Sequence, residues 1–339
     1  MPRLREVCFY ANFLSPTFIG CRMILVAGLT PAWQQIAVLE RLRVGEVNRA
    51  REVHWCASGK VLNVGLGLTQ LNAESCTLSL IGSGPASDAM RRDMQQFGVS
   101  VRWVEATAPQ RVCTTLLDRE SGSTTEIVEN FPAVTSPELQ TFAVAFAEEV
   151  AEPNVDVVVL TGSLPQGAPR DFYATLLGQT GVKCPKMILD FRGPELLAAL
   201  PFKPFLVKPN REELSHTVGR SFVTEADLWQ AMTELNELGA EWVVVTNGSG
   251  EVLVTHDAER LRFKPPSVEV VNPIGCGDCF TAGLVWSLQQ GHDMPQAIET
   301  GIAAAAQNAT QLLPARLNPE VLRLGGALQD ACVESAAGR

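Results

Sequence analysis

The residues whose types and spacing best suit chemistry lie in Val268–Gly283, VEVVNPIGCGDCFTAG. The apolar, β-branched run Val268–Val271 reads as a buried strand. Asn272, Pro273, Gly275 and Gly277 read as a tight turn, and Cys279 to Trp286 as the start of an amphipathic helix. A helix start presents free N–H groups to an anion, and glycines let the backbone approach closely. Asp278 stands at that electropositive end. A carboxylate there would repel a phosphate that was merely held. It makes sense as a base that takes a proton from a hydroxyl while the adjacent N–H groups hold charge developing on a transferred phosphoryl group. An Asp in a first helical turn also serves as an ordinary cap. No GxxxxGK[ST] is present, so the turn is not a P-loop. Cys276 and Cys279 form a C-x-x-C at the helix start, where a thiolate gains stability, but no thioredoxin-like unit surrounds it.

Other strand ends carry further candidates, as expected where an open α/β sheet binds ligands. Thr161–Pro165 (TGSLP) offers hydroxyls and N–H groups, among them those of Ser163. Lys208–Glu213 (KPNREE) places Asn210 and Glu213 three apart at a helix start. Both can face one Mg²⁺ through water, or they can form a capping box. Asn247–Gly250 (NGSG) is a small-residue turn able to admit a nucleotide phosphate, or a plain hairpin turn into Val252–Thr255. Lys60 opens a helix that runs through Leu71, a poor place for a cation unless an anionic ligand is near. Arg111 is able to meet a phosphate bidentately, or to form a surface ion pair.

The elements that position these residues alternate along the chain. Met23–Ala27 is the first good strand, and the runs Cys76–Ile81, Val155–Leu160, Met187–Asp190, Phe205–Val207 and Trp242–Thr246 read as further strands. Continuous apolar runs such as VDVVVL suit parallel strands covered on both faces. Helices are expected over Ala86–Phe97, Ser136–Val150 (Ser136 as N-cap, Pro137 at the first position), Pro169–Gln179, Pro194–Leu200, Glu225–Leu238, Cys279–Gln290 and Pro295–Asn308. The alternation implies an α/β fold with a doubly wound, mostly parallel sheet flanked by helices. Gly45–Trp55 and Val112–Val128 break the rhythm. They read as a small β lid, with a hairpin around Ser121–Ser123.

Composition sets the bounds. The chain has 339 residues, 46% hydrophobic and 19% charged, which suits a globular protein with a large core. A net charge of −10 argues against a nucleic-acid surface. Nine scattered cysteines suit a reducing, cytoplasmic compartment, and four dispersed histidines show no zinc spacing. Residues 1–22 contain a mildly apolar run too short to span a bilayer. They read as a poorly ordered extension or as a start upstream of Met23. Residues 325–339 read as a tail.

The order of these pieces resembles the ribokinase-like PfkB carbohydrate kinases: Lys60 and Asn63, GSLP at Gly162–Pro165, KPNREE, TNGSG at Thr246–Gly250, and GCGD at Gly275–Asp278. GEVNRA at Gly45–Ala50 and TEIVEN at Thr125–Asn130 are similar to the branch of 1-phosphofructokinases and tagatose-6-phosphate kinases. The resemblance covers about residues 23–324, with lid segments near 44–56 and 111–128. It implies ATP-dependent transfer to a sugar phosphate, a ketohexose phosphate in that branch. Asp278 would be the base, with the N–H groups of Gly275, Cys276 and Gly277 as the anion hole. Asn210 and Glu213 would organise Mg²⁺. Lys208, Thr246, Gly248, Ser249 and Gly250 would line the nucleotide side, with Asn308 near the adenine. Lys60, Asn63, Arg111 and Ser163 would face the sugar phosphate. A homodimer through the lid is implied, with neither nucleic acid nor membrane as partner.

Departures from the pattern concentrate on the acceptor side. Gln34 stands where the family's N-P-A-x-D has its Asp, Val61 stands in place of the last glycine of G-G-K-G, Leu66 replaces an Arg, and Pro273 replaces a Thr. They motivate a second expectation, a non-catalytic sugar-phosphate or nucleotide sensor that keeps the kinase fold.

Overall fold

A computed structural model describes residues 23–179, 186–320 and 322. The expected extension at 1–22 and tail at 325–339 lie outside the described residues. In chain order the elements are β1 (Met23–Gly28), β2 (Ala32–Leu39), β3 (Glu52–Ser58), α1 (Lys60–Gln70), β4 (Ser75–Ser83), α2 (Pro85–Gln96) and β5 (Val101–Pro109). The hairpin β6 (Val112–Asp118) and β7 (Thr124–Val128) precedes α3 (Ser136–Ala151), β8 (Val155–Thr161), α4 (Phe172–Gly178), β9 (Lys186–Asp190) and α5 (Pro194–Ala199). Then come β10 (Leu206–Val207), α6 (Arg211–Val218), α7 (Glu225–Glu237), β11 (Trp242–Val245), β12 (Val252–His256), β13 (Glu259–Phe263), α8 (Cys276–Gln289) and α9 (Met294–Ala309).

Nine strands form one sheet in the order β13-β12-β11-β10-β9-β8-β1-β4-β5. It is parallel from β11 through β5, and only β12 and β13 run antiparallel at one edge. Both faces are covered, which is why β1, β8 and β11 read as unbroken apolar runs. One core joins the sheet to α3, α4 and α7 through Phe142, Tyr173 and Met232. The other joins it to α1, α2, α8 and α9 through Leu62, Met90, Phe280 and Ile298. The chain leaves β1 for β4 and β5 on one side, then returns to β8 on the other. The strand order therefore reverses at β1/β8, where an α/β sheet opens a crevice.

The lid is a four-stranded sheet, β3-β2-β6-β7. Its core strand β2 was not expected from the sequence, and residues 40–51 form a loop where the lid strand was expected to begin. Two further corrections concern the catalytic stretch. Val268–Val271 is not a buried strand: it is coil, and Val270 is 57% exposed. The main sheet already ends at β13, so this segment serves only to reach α8. The helix itself starts at Cys276, three residues earlier than expected, which places Asp278 inside its first turn. In α3 the N-cap is Thr135 rather than Ser136, because the Thr135 hydroxyl and Glu138 complete a capping box.

Candidate active site

A cavity of about 600 Å³ opens beneath the lid, at the carboxyl ends of β1, β8 and β9. Lys60, Asn63, Arg111, Ser163, Glu213 and Asp278, six residues singled out in the sequence, all line it. Its upper wall is the inner face of the lid, including Gln34 and Glu126.

Asp278 is 7% exposed, and its carboxylate reaches the cavity from the first turn of α8. Asn63 Nδ2 donates to Asp278 Oδ2 at 2.7 Å, and Ser58 Oγ donates to Asn63 Oδ1 at 3.2 Å. The carboxylate is thus oriented from α1 rather than spent on capping its own helix. Burial pushes its pKa above the usual carboxylate range and Asp190 adds to this, against Lys60, Asn63 and Lys208. A raised pKa makes a stronger base at neutral pH. The turn before it needs glycine: Gly275 has φ 81°, and a Cβ there would meet Pro314 at 2.8 Å. The Cys276 N–H donates to Pro273 O at 3.3 Å, so of the expected anion-hole donors it is Gly275 and Gly277 that lack a carbonyl partner among the described residues.

Behind the cavity sits a charged cluster. Lys60 Nζ donates at 2.9 Å to both Asp190 Oδ1 and Glu213 Oε1. Lys208 Nζ lies 3.3 Å from Asp190 Oδ2, and Thr281 Oγ1 donates to the same oxygen at 3.0 Å. Burial alone would raise the fully buried Asp190, but Lys208, Lys60 and these hydrogen bonds hold it below its ordinary value. Burial likewise opposes charge on Lys60, yet Asp190, Glu213 and Asp278 drive its pKa up. Lys60 is therefore a cation, and Lys208 lies at the mouth of α8, where a Cβ on Gly277 would stand 3.7 Å from its Nζ. Asp190 was read as a strand end and given no role. A carboxylate closing a buried strand at the ligand-binding edge was the available signal.

The remaining candidates divide. Arg111 donates to the carbonyls of Pro31, Glu129 and Thr30, which fixes its guanidinium at the cavity rim. Among the described residues it has no ion pair within 4.0 Å, and burial lowers its pKa. Ser163 Oγ lies 3.3 Å from Thr30 Oγ1. Asn210 and Glu213 form the capping box of α6, while the second oxygen of Glu213 holds Lys60. Residues Asn247–Gly250 are the turn of the β11–β12 hairpin, with Gly248, Ser249 and Gly250 at the surface and outside the cavity. Thr246 precedes them, bridged to Asn210. Asn308 is corrected: it is fully buried, bonding Ile274 O, Ala315 N and both thiols of Cys276 and Cys279. Its amide staples the glycine turn and has nothing left for an adenine. The thiolate reading of Cys276 and Cys279 gains no support, since burial, with the Asp278 charge, pushes both thiols up.

The profile of the pfkB family carbohydrate kinases matches residues 22–320. The chain belongs to this family of carbohydrate kinases. It is 31% identical over 293 residues to a 1-phosphofructokinase of Vibrio cholerae, covering 86% of this chain and 90% of the relative. Its fold is that of phosphofructokinase-2 from Escherichia coli, solved in complex with fructose-6-phosphate (TM-score 0.80, 23% identity, 91% of this chain and 99% of that one). Ribokinase from Thermotoga maritima shares it too (TM-score 0.71, 19% identity, 90% and 99%). The ribokinase-like architecture expected from the motif order is therefore present.

Against the family pattern, two departures lie in the core rather than in the cavity lining. Val61 is buried in the core against Gly28, where a Cβ would lie 2.9 Å from Val61 Cβ. Leu66 is buried in the same core. Gln34 is different: it lines the cavity, and its Nε2 donates to Thr115 Oγ1 at 2.9 Å.

Proposed function

We propose that this pfkB-family kinase transfers the γ-phosphoryl group of ATP to a hydroxyl of a phosphorylated ketohexose, in the manner of a 1-phosphofructokinase or tagatose-6-phosphate kinase. The observation that carries the reading is Asp278, buried at the start of α8, oriented by Asn63 and facing the cavity. Asp278 takes the proton from the acceptor hydroxyl as that oxygen attacks. The free N–H groups at Gly275 and Gly277, with Lys208 behind them, hold the charge on the transferred group. Lys60, a cation lining the cavity, suits the sugar phosphate. Arg111 and Ser163 at the rim suit the phosphate already on the acceptor. The nucleotide is read as lying on the side of Lys208, Thr246 and the Gly248–Gly250 turn.

Among the described residues no three His, Cys, Asp or Glu converge as a metal cage. Mg²⁺ does not need one, since it is usually held by one or two carboxylates, water and substrate phosphates. Glu213 lines the cavity, and its carboxylate oxygens suit a hard cation. Glu213 with Asn210, through water, would hold it. When bound it supplies neutralisation of the ATP phosphates.

The outer lid face bears Trp33 stacked on Trp55 at 6.0 Å, with Val53 and Ile127 exposed. This apolar face supports a homodimer in which a second copy covers it. Among the described residues no helix is long and apolar enough to cross a membrane, and the free thiols of Cys56, Cys76 and Cys113 fit a reducing, cytoplasmic setting. The reading is tested by ADP release over a panel of sugars and sugar phosphates. Turnover with fructose 1-phosphate, fructose 6-phosphate or tagatose 6-phosphate supports it. Nucleotide binding with no acceptor-dependent ADP release sinks it in favour of a sensor.

A further inference from the structure

The segment Thr125–Asn130 brings a carboxylate into the cavity that the transfer chemistry leaves unused. Glu126 sits on β7 opposite Thr115 of β6. Side chains alternate along a strand, so Ile127 points outward while Glu126 and Val128 line the cavity. Thr115 in turn takes the hydrogen bond from Gln34 on β2. Gln34 on β2 and Glu126 on β7 thus line the same cavity as Asp278, one residue pair apart in register, with the buried Thr115 between them.

Glu126 makes no hydrogen bond or ion pair with a described residue. It is open to water, yet the cavity walls and Asp278 together raise its pKa. Two carboxylates across one cavity repel an anion and suit a molecule that donates several hydroxyls. The anion-seeking groups, Arg111 and Ser163, line the same cavity and suit the other end of such a molecule.

Position 34 sharpens the point. The family pattern places a hydroxyl-holding Asp there, whereas Gln34 spends its amide hydrogens on Thr115 Oγ1 and the Gln35 carbonyl. It retains a neutral acceptor oxygen and no charge. We propose that Glu126 is the acceptor-specificity residue of this kinase: its carboxylate accepts hydrogen bonds from acceptor hydroxyls next to the one presented to Asp278. The charged grip on the acceptor stands on β7 rather than on β2, two strands across the lid, or about 10 Å at the usual strand spacing. This inference rests on the kinase reading above.

The test is calorimetric binding of fructose 1-phosphate and fructose 6-phosphate, paired with steady-state kinetics, on wild type, Glu126→Gln and Glu126→Gln/Gln34→Asp. Glu126 sits on an exposed edge strand, so the isosteric variant keeps the fold, and an unchanged melting temperature checks this. Glu126→Gln weakens acceptor binding by about 10- to 100-fold, the worth of a hydrogen bond to a charged group. KM for the acceptor rises with it, ATP affinity holds within about 2-fold, and Gln34→Asp recovers part of the loss. Wild-type turnover with unchanged acceptor affinity in Glu126→Gln overturns this inference alone. A wild type that neither binds a sugar phosphate nor releases ADP overturns it together with the kinase reading.

Discussion

Replacing Asp190 with Asn removes the carboxylate that holds Lys60 at 2.9 Å and Lys208 at 3.3 Å. Lys60 keeps Glu213, but Lys208, 3% exposed, has no other ion pair within 4.0 Å among the described residues and keeps the ring of Phe280, 5.9 Å away. Stranding one partner of a buried pair costs about 3–5 kcal/mol. At about 2 °C per kcal/mol for a large chain, the melting temperature falls by about 6–10 °C. Asp190 titrates below its ordinary value, so its contribution is complete above the unfolded carboxylate pKa of about 3.9 and is lost as pH falls through the folded value. The gap between wild type and variant should therefore stay constant from about pH 8 to pH 5 and narrow only below about pH 4. Adding Lys208→Met, which removes the stranded charge, should recover much of the loss. Calorimetric or circular-dichroism melting measures all three. A shift under about 1 °C, or a gap that widens towards acid, refutes the idea that this carboxylate anchors both lysines.

Asn63→Ala removes the donor that favours ionised Asp278, so kcat should fall about 10-fold and the acid limb of the pH–rate profile should move to higher pH. In the wild type that limb should already lie above the ordinary carboxylate value of about 4, with activity lost on the acid side, where Asp278 is protonated. Cys276→Ser should keep turnover within about 3-fold, and thiol labelling of the native protein at neutral pH should be slow, because burial keeps both thiols protonated.

The fold was legible wherever burial on both faces wrote an unbroken apolar run, as in VDVVVL for β8 and WVVV for β11. Helix starts were legible where a capping pair stood in the sequence, as at Asn210 and Glu213. The lid strand β2 was not, because AWQQIAVL has two adjacent polar residues, Gln34 turned to the cavity and Gln35 to the other face, and a loop-like Pro31 before it. Val268–Val271 misled for the opposite reason: β-branched residues serve an exposed crossing as well as a strand. Within the site, Asp278 announced itself by standing where a helix start and a glycine turn meet. Asp190 and the inward aim of Glu126 depend on which strands become neighbours, and only the assembled sheet supplies that. Asn308 shows the converse, a residue assigned to the nucleotide side by the family resemblance and committed to the interior by packing.

The central claim is that Asp278 removes the acceptor proton. Asp278→Asn keeps the side-chain shape and its place beside Asn63 but abolishes the base. Acceptor-dependent ADP release, measured beside equilibrium ATP binding, should fall by about 10²–10⁴-fold in kcat with ATP affinity little changed. A variant that still turns over within about 3-fold of wild type would contradict the account.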